Sequence, residues 1–186
     1  MTGWIGDERA RLAADKILDA AARLFAERGV GSVGMGEIAT AAGCSRATLY
    51  RYFADRGQLH MAFVHREAVR VGQQVAAEVR AADVADPAEA VTVAVLGALR
   101  RVRETPALAA WFRLEEAATS AGVAQSSAVI EALGLSIVTD PLAARWLVRV
   151  VLSLLTVPGR DEAEERAMVE RFVGPVVLGA SSVRPA

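Results

Sequence analysis

Asparagine is absent from the 186 residues, and lysine and cysteine each occur once, as Lys16 and Cys44. A single thiol closes no internal disulfide, which points to a reducing, cytoplasmic setting. The bias toward arginine and alanine fits a GC-rich genome and carries little mechanism. Aromatic residues are few, at 5%, yet 53% of the chain is hydrophobic, enough for a real core and too much for a disordered chain. The longest apolar run, Trp146 to Val157, is too short for a bilayer and is broken by Arg149. Met1 to Arg11 carries charges and no long apolar stretch, so no secretion signal and no membrane partner are expected.

Signs of catalysis are also missing. There is no glycine-rich phosphate loop, and Ser126 and Ser127 have no partner that would make either a nucleophile. His60 and His65 share no helix face and have no carboxylate or cysteine at ligand spacing, which argues against a metal. The acidic run Asp161, Glu162, Glu164 and Glu165 suits the positive end of a helix. No catalytic residue, metal or cofactor is expected, and the chain does not read as an enzyme. Net charge is −1. Residues 1–70 carry ten Lys/Arg against eight Asp/Glu, and the rest eleven against fourteen, a mild basic bias toward the start.

What is present is helical periodicity. Ile17, Ala21, Leu24 and Phe25 form one stripe of a first helix that ends at Gly29, before a glycine-rich turn to Gly36. Short helical pieces follow to Phe53. Asp55 with Gln58 forms a capping-box pattern and opens a long helix to about Val84; Asp161 with Glu164 repeats the pattern. Asp86-Pro87, Thr105-Pro106 and Asp140-Pro141 each set a cap residue before a proline at the first helical position. Ser120 to Ser127 reads as a loop, and Pro175 must kink or end the last helix. The expected fold is all-α, about nine helices, the first three or four short and clustered and the rest forming a bundle.

The stretch Glu37 to Phe53 reads as helix, turn, helix. Ile38, Ala39 and Ala42 give the first helix a buried side, Gly43 supplies the left-handed turn, and Ser45 caps the second helix. Leu49, Tyr52 and Phe53 form its packed side. Arg46, Ala47, Tyr50 and Arg51 face outward, a set suited to a major groove, where arginine grips guanine and arginine and tyrosine reach phosphates. From these residues alone, an ordinary helical hairpin with a solvated basic face remains an alternative.

The same residues resemble the TetR family of transcriptional regulators. The resemblance runs over about 50 residues, from "ILDAAARLFAERG" through "IATAAGCSRATLYRYFADRGQLH". Ile38, Ala39, Ala42, Gly43, Ser45, Leu49, Tyr50, Tyr52, Phe53, Arg56 and Leu59 stand where the family pattern has its ordered positions. Cys44 replaces the usual valine and is small and apolar enough to pack there. Gly34 replaces a Thr or Ser cap, which costs a few tenths of a kcal/mol.

The resemblance implies a DNA-binding domain over 9–54, with Ser45, Arg46, Ala47, Thr48, Tyr50, Arg51, Tyr52 and Arg56 at the DNA. Arg46 would read a base; Tyr50, Tyr52 and Arg56 would hold phosphates. It implies an effector-binding and dimerisation bundle over 55–180. The expected function is a bacterial repressor, a homodimer on near-palindromic double-stranded DNA, released by a small, mostly apolar effector. The alternatives are a regulator without an effector, or a helical small-molecule-binding domain whose N-terminal hairpin is only structural. Met61, Val64, Leu99, Val102, Trp111, Phe112, Leu114 and Trp146 are the expected effector walls, with arginines 100, 101, 103, 113, 145 and 149 as polar anchors for a neutral or anionic guest. The helix from Pro141 to Val157 is apolar around most of its girth, so one side meets the core and the other a partner. Leu147, Val151, Leu154, Met168, Phe172 and Val176 are the expected dimer interface.

Overall fold

The computed structural model describes residues 3–113 and 127–180, and every regular element among them is a helix. These are α1 (Gly3–Arg28), α2 (Met35–Ala42), α3 (Arg46–Tyr52), α4 (Arg56–Ala81), α5 (Pro87–Glu104), α6 (Pro106–Ala109), α7 (Ala128–Leu135) and α8 (Pro141–Thr156). The last rod is α9 (Glu162–Met168), a π turn (Val169–Val173) and α10 (Gly174–Ala180). Counted as one, it makes nine helices among the described residues, and a short 3-10 turn (Ala110–Phe112) continues from α6. The first helix is long rather than short. Leu114 and the expected loop up to Ser126 lie outside the described residues; Ser127 caps α7, accepting from Ile130 N–H at 3.2 Å. Among the described residues no helix is long and apolar enough to cross a membrane.

The aspartate caps form as their spacing predicts. Asp55 accepts from Gln58 N–H, Asp86 from Ala88, Asp140 from Ala143 and Asp161 from Glu164. Thr105 does not cap α6. It also ends α5, and its hydroxyl turns back to donate to Arg101 O at 2.8 Å. The reciprocal halves of the two capping boxes fall one residue early: Gln58 accepts from Ala54 N–H and Glu164 from Arg160 N–H. Pro175 does not end the last helix. The π turn just before it, with Gly174 N–H reaching Val169 O, widens the backbone where the proline ring would press on a carbonyl.

Two apolar cores result. The first joins α1, α2 and α3 to the start of α4 and to α6, around Ile17, Phe25, Ile38, Leu49, Phe63 and Trp111. The second joins α5, α8 and the π turn of the last rod, around Val95, Leu99, Ala144, Leu147, Leu154 and Val169. Charge pairs fasten both. Arg66 of α4 reaches Asp19 of α1 at 2.9 Å. Arg103 of α5 holds the buried Glu165 of α9 through two 2.7 Å bonds and also donates to Leu154 O. Hydrogen bonding to Arg103 keeps the Glu165 carboxyl below the usual carboxylate range against the opposing effect of burial.

Candidate nucleic-acid interface

Local chemistry sets the angle between α2 and α3. Ile38, Ala39 and Ala42 are buried, and Gly43 adopts φ 69°, ψ 35°, a left-handed conformation that glycine takes without strain. Cys44, half-buried, packs against the first core. Ser45 Oγ then accepts from Thr48 N–H at 3.0 Å and shares a 2.9 Å bond with the Thr48 hydroxyl, starting α3. Leu49 and Phe53 turn inward, and Tyr52 is half-buried against the same core.

The outer side of α3 carries Arg46, Ala47, Tyr50 and Arg51, all exposed. The Arg51 guanidinium lies 5.3 Å from the Tyr52 ring centre. That of Arg46 lies over α2, where a Cβ at Gly36 would stand 2.5 Å from Arg46 Nη2. The absent side chain leaves room for the guanidinium. Two guanidinium groups, a phenol and a methyl group thus share one open helix face, a donor set matched to phosphates and base edges.

Glu37 was not anticipated as a cap. Gly34 has no side chain to offer α2, but the Glu37 carboxylate accepts from Gly34 N–H at 2.9 Å and from Arg28 at 2.6 Å. The Gly34 N–H first, and Arg28 second, hold its pKa below the ordinary value.

Arg56, expected to hold a phosphate, also makes bonds within the domain. Its Nη2 donates to Val30 O at 2.6 Å and to Gly31 O at 2.8 Å, closing the turn after α1, while its Nε donates to His60 Nε2 at 3.3 Å. A guanidinium occupied in this way braces the domain. Arg56→Ala should cost about 2–3 kcal/mol of stability. In a folded Arg56→Ala sample the salt dependence of DNA binding should stay as steep as in the parent. Loss of about one unit of slope would return the residue to a phosphate.

His60 packs edge-on against Phe25 and Trp111. Burial, and next the Arg56 charge, lower its pKa from 6.5 to about 4. The imidazole is therefore neutral near pH 7. Between those two values the unfolded chain binds the extra proton and the folded chain does not, so stability present above pH 6.5 is lost as pH falls toward 4. Urea titrations at pH 7 and pH 5 should differ by about 2 kcal/mol, and His60→Gln, which cannot titrate, should remove that difference.

Among the described residues, those expected to wall an effector site do not together surround a cavity. Leu99 is buried in the second core and Trp111 in the first, where it stacks on Phe63 at 6.0 Å and meets Phe25 at 5.9 Å. Val64, Val102 and Phe112 lean on the first core, and Met61 is half-buried beside it in sequence. Trp146 lies on the outer side of α8, 36% exposed. A groove of about 400 Å³ lies instead between α4, α5 and α7. Of the expected arginine anchors, Arg100 and Arg101 pair with Glu78, and Arg103 with Glu165. Arg145 and Arg149 line a smaller cleft with Glu131.

The expected interface divides similarly. Leu147 and Leu154 are buried in the second core and Val151 packs on it, so they hold their own chain together. Met168, Phe172 and Val176 are exposed, and so are Leu142 and Trp146 of α8.

A helix-turn-helix with a basic outer face on an all-helical body is the arrangement of a DNA-binding regulator, and comparison with known proteins specifies the family. The model for bacterial regulatory proteins of the tetR family matches residues 17–62. The HTH-type transcriptional regulator Rv1255c of Mycobacterium tuberculosis is 50% identical over 190 residues, spanning 97% of this chain and 93% of that protein. The chain belongs to the TetR family of transcriptional regulators. Among solved structures, RolR bound to resorcinol aligns with a TM-score of 0.67 at 20% identity, covering 97% of this chain and 98% of RolR. The TetR family repressor AlkX of Dietzia sp. aligns with a TM-score of 0.62 at 21% identity, covering 88% and 94%. At these identities the two structures share the fold.

Proposed function

We propose that this regulator is a homodimeric repressor whose two α3 helices read a near-palindromic duplex, and that a small, mostly apolar effector between α4, α5 and α7 releases it. The carrying observation is the placement of α4. Its first turns, with Leu59 and Phe63, belong to the core that supports α2 and α3, while Val71 and Val75 further along line the groove. A guest that shifts α4 therefore shifts the reading head, by no more than its preference for the shifted state allows. RolR holding resorcinol within the same fold supports an effector-responsive reading. Residues 9–54 would form the DNA-binding unit and 55–180 the effector and dimer unit. Ser45 and Thr48 would set the helix start, Arg46 would read a base, Ala47 and Arg51 would lie at the groove, and Tyr50 and Tyr52 would reach phosphates.

In such a dimer the reading helices sit one DNA turn apart, about 34–36 Å. Selection from random duplexes should return a near-palindrome, and Arg46→Ala should relax one position per half-site by about 1–3 kcal/mol. An unchanged ranking of half-site variants in Arg46→Ala removes the base-reading role. Failure of the parent to select any sequence removes the operator.

A further inference from the structure

The groove between α4, α5 and α7 has the volume of a small-molecule site, about 400 Å³. Its walls are short and aliphatic, with Val71, Val75 and Val79 on α4, Val91 and Ala94 on α5, and Leu133 on α7. Leu133 rests on Gly72 so closely that a Cβ there would overlap it, which brings α7 down against α4. Among the described lining residues there is no aromatic ring and no carboxylate. A flat aromatic guest finds nothing to stack on, and a cation finds no counter-ion.

Among the described lining residues two side chains are strongly polar, Ser136 and Arg80. Arg80 stands exposed in the last turn of α4. The three arginines of α5 are engaged, Arg100 and Arg101 by Glu78 and Arg103 by Glu165. Arg80 has no such partner among the described residues. An unpaired, rigid, planar donor at the end of an aliphatic trough is suited to a carboxylate at the end of a chain.

We infer that the groove binds an unbranched aliphatic carboxylate, its chain along the valine wall and its headgroup at Arg80. This rests on the proposal that the groove is the effector site and narrows the chemistry of the guest. The chain gains dispersion contacts and sheds water along Val71, Val75 and Val79. The carboxylate gains a charge-assisted pair that an alcohol of equal length cannot form.

Calorimetry with octanoate, 1-octanol and benzoate on the full chain tests this. Octanoate should bind about tenfold tighter than 1-octanol, and Arg80→Gln, an exposed change that leaves the fold untouched, should bring the two within about twofold. Ala90→Phe, which fills the groove from α5, should abolish both, with circular dichroism confirming the helix content. Equal binding of acid and alcohol to the parent, an undiminished gap in Arg80→Gln, or benzoate binding tighter than octanoate overturns the inference. Release of selected DNA is scored separately. Octanoate that binds as described without releasing DNA leaves the inference standing and removes the effector-released repressor. Benzoate that releases DNA while octanoate does not bind overturns the inference and keeps that reading.

Discussion

Trp111→Ala should destabilise the protein by about 3–5 kcal/mol, the range for removing a large buried aromatic side chain. The indole is 2% exposed and sits among the rings of Phe25, His60 and Phe63, drawn from α1 and α4. Its removal takes a large ring out of the core beneath the reading helix, at the turn that follows α6. Two measurements check this. The denaturation midpoint should fall, and any sample still folded should bind DNA with weakened response to effector, because α6 and α4 no longer move as one. Trp111→Phe, which keeps a ring in the cluster, should recover much of the loss. A Trp111→Ala protein within about 1 kcal/mol of the parent would mean that the indole fills a tolerant space rather than the centre of a core.

Phe172→Asp should separate the protomers while leaving each folded. Phe172 is 56% exposed and Val176 55%, one turn apart on the last helix, and with Leu142 at 71% and Trp146 on α8 they leave a large apolar area open to water. Such a surface on a chain of this size is suited to a second copy of itself. Light scattering should report a monomer and circular dichroism an unchanged helix content. Affinity for the two-half-site duplex should fall by about 10²–10⁴, the loss expected when two linked contacts become one. Leu154→Asp should behave differently. Leu154 belongs to the second core, so a charge there should unfold the chain rather than divide the dimer. A Phe172→Asp protein that remains dimeric with intact DNA affinity would place the interface elsewhere.

The parts of this structure that were legible in the sequence are those set by neighbours a few residues away. Gly43 needs a left-handed backbone, Ser45 accepts from the N–H three residues on, and Leu49 and Phe53 lie one turn apart, so α2 and α3 follow from local rules. The remaining features depend on residues distant in the chain. Arg56 has the composition of a phosphate contact, yet its partners are the carbonyls of Val30 and Gly31, more than twenty positions earlier. A large ring such as Trp111 serves a core or a cavity equally well, and only the approach of α1 and α4 decides. The groove is not legible in the sequence because valine and alanine line it, the same residues that fill a core. On α8 the polar stripe was visible, but its meaning was not. Arg145, Arg149 and Ser153 lie on the outer side together with Leu142 and Trp146, which leaves Leu147 and Leu154 opposite, facing inward.

The widened turn at Val169–Val173 also bears on how this helix can change in length. A five-residue hydrogen-bonded loop holds one residue more than a regular α turn requires. Deleting a single residue there can be absorbed by tightening the loop, whereas the same deletion in α4 would rotate everything beyond it by about 100°, a full residue step of the helix. Tightening returns the proline ring to a regular helix, where it presses on a carbonyl at a cost of about 3 kcal/mol. The surplus residue and Pro175 are therefore coupled. A relative that has lost one residue here should have lost the proline as well.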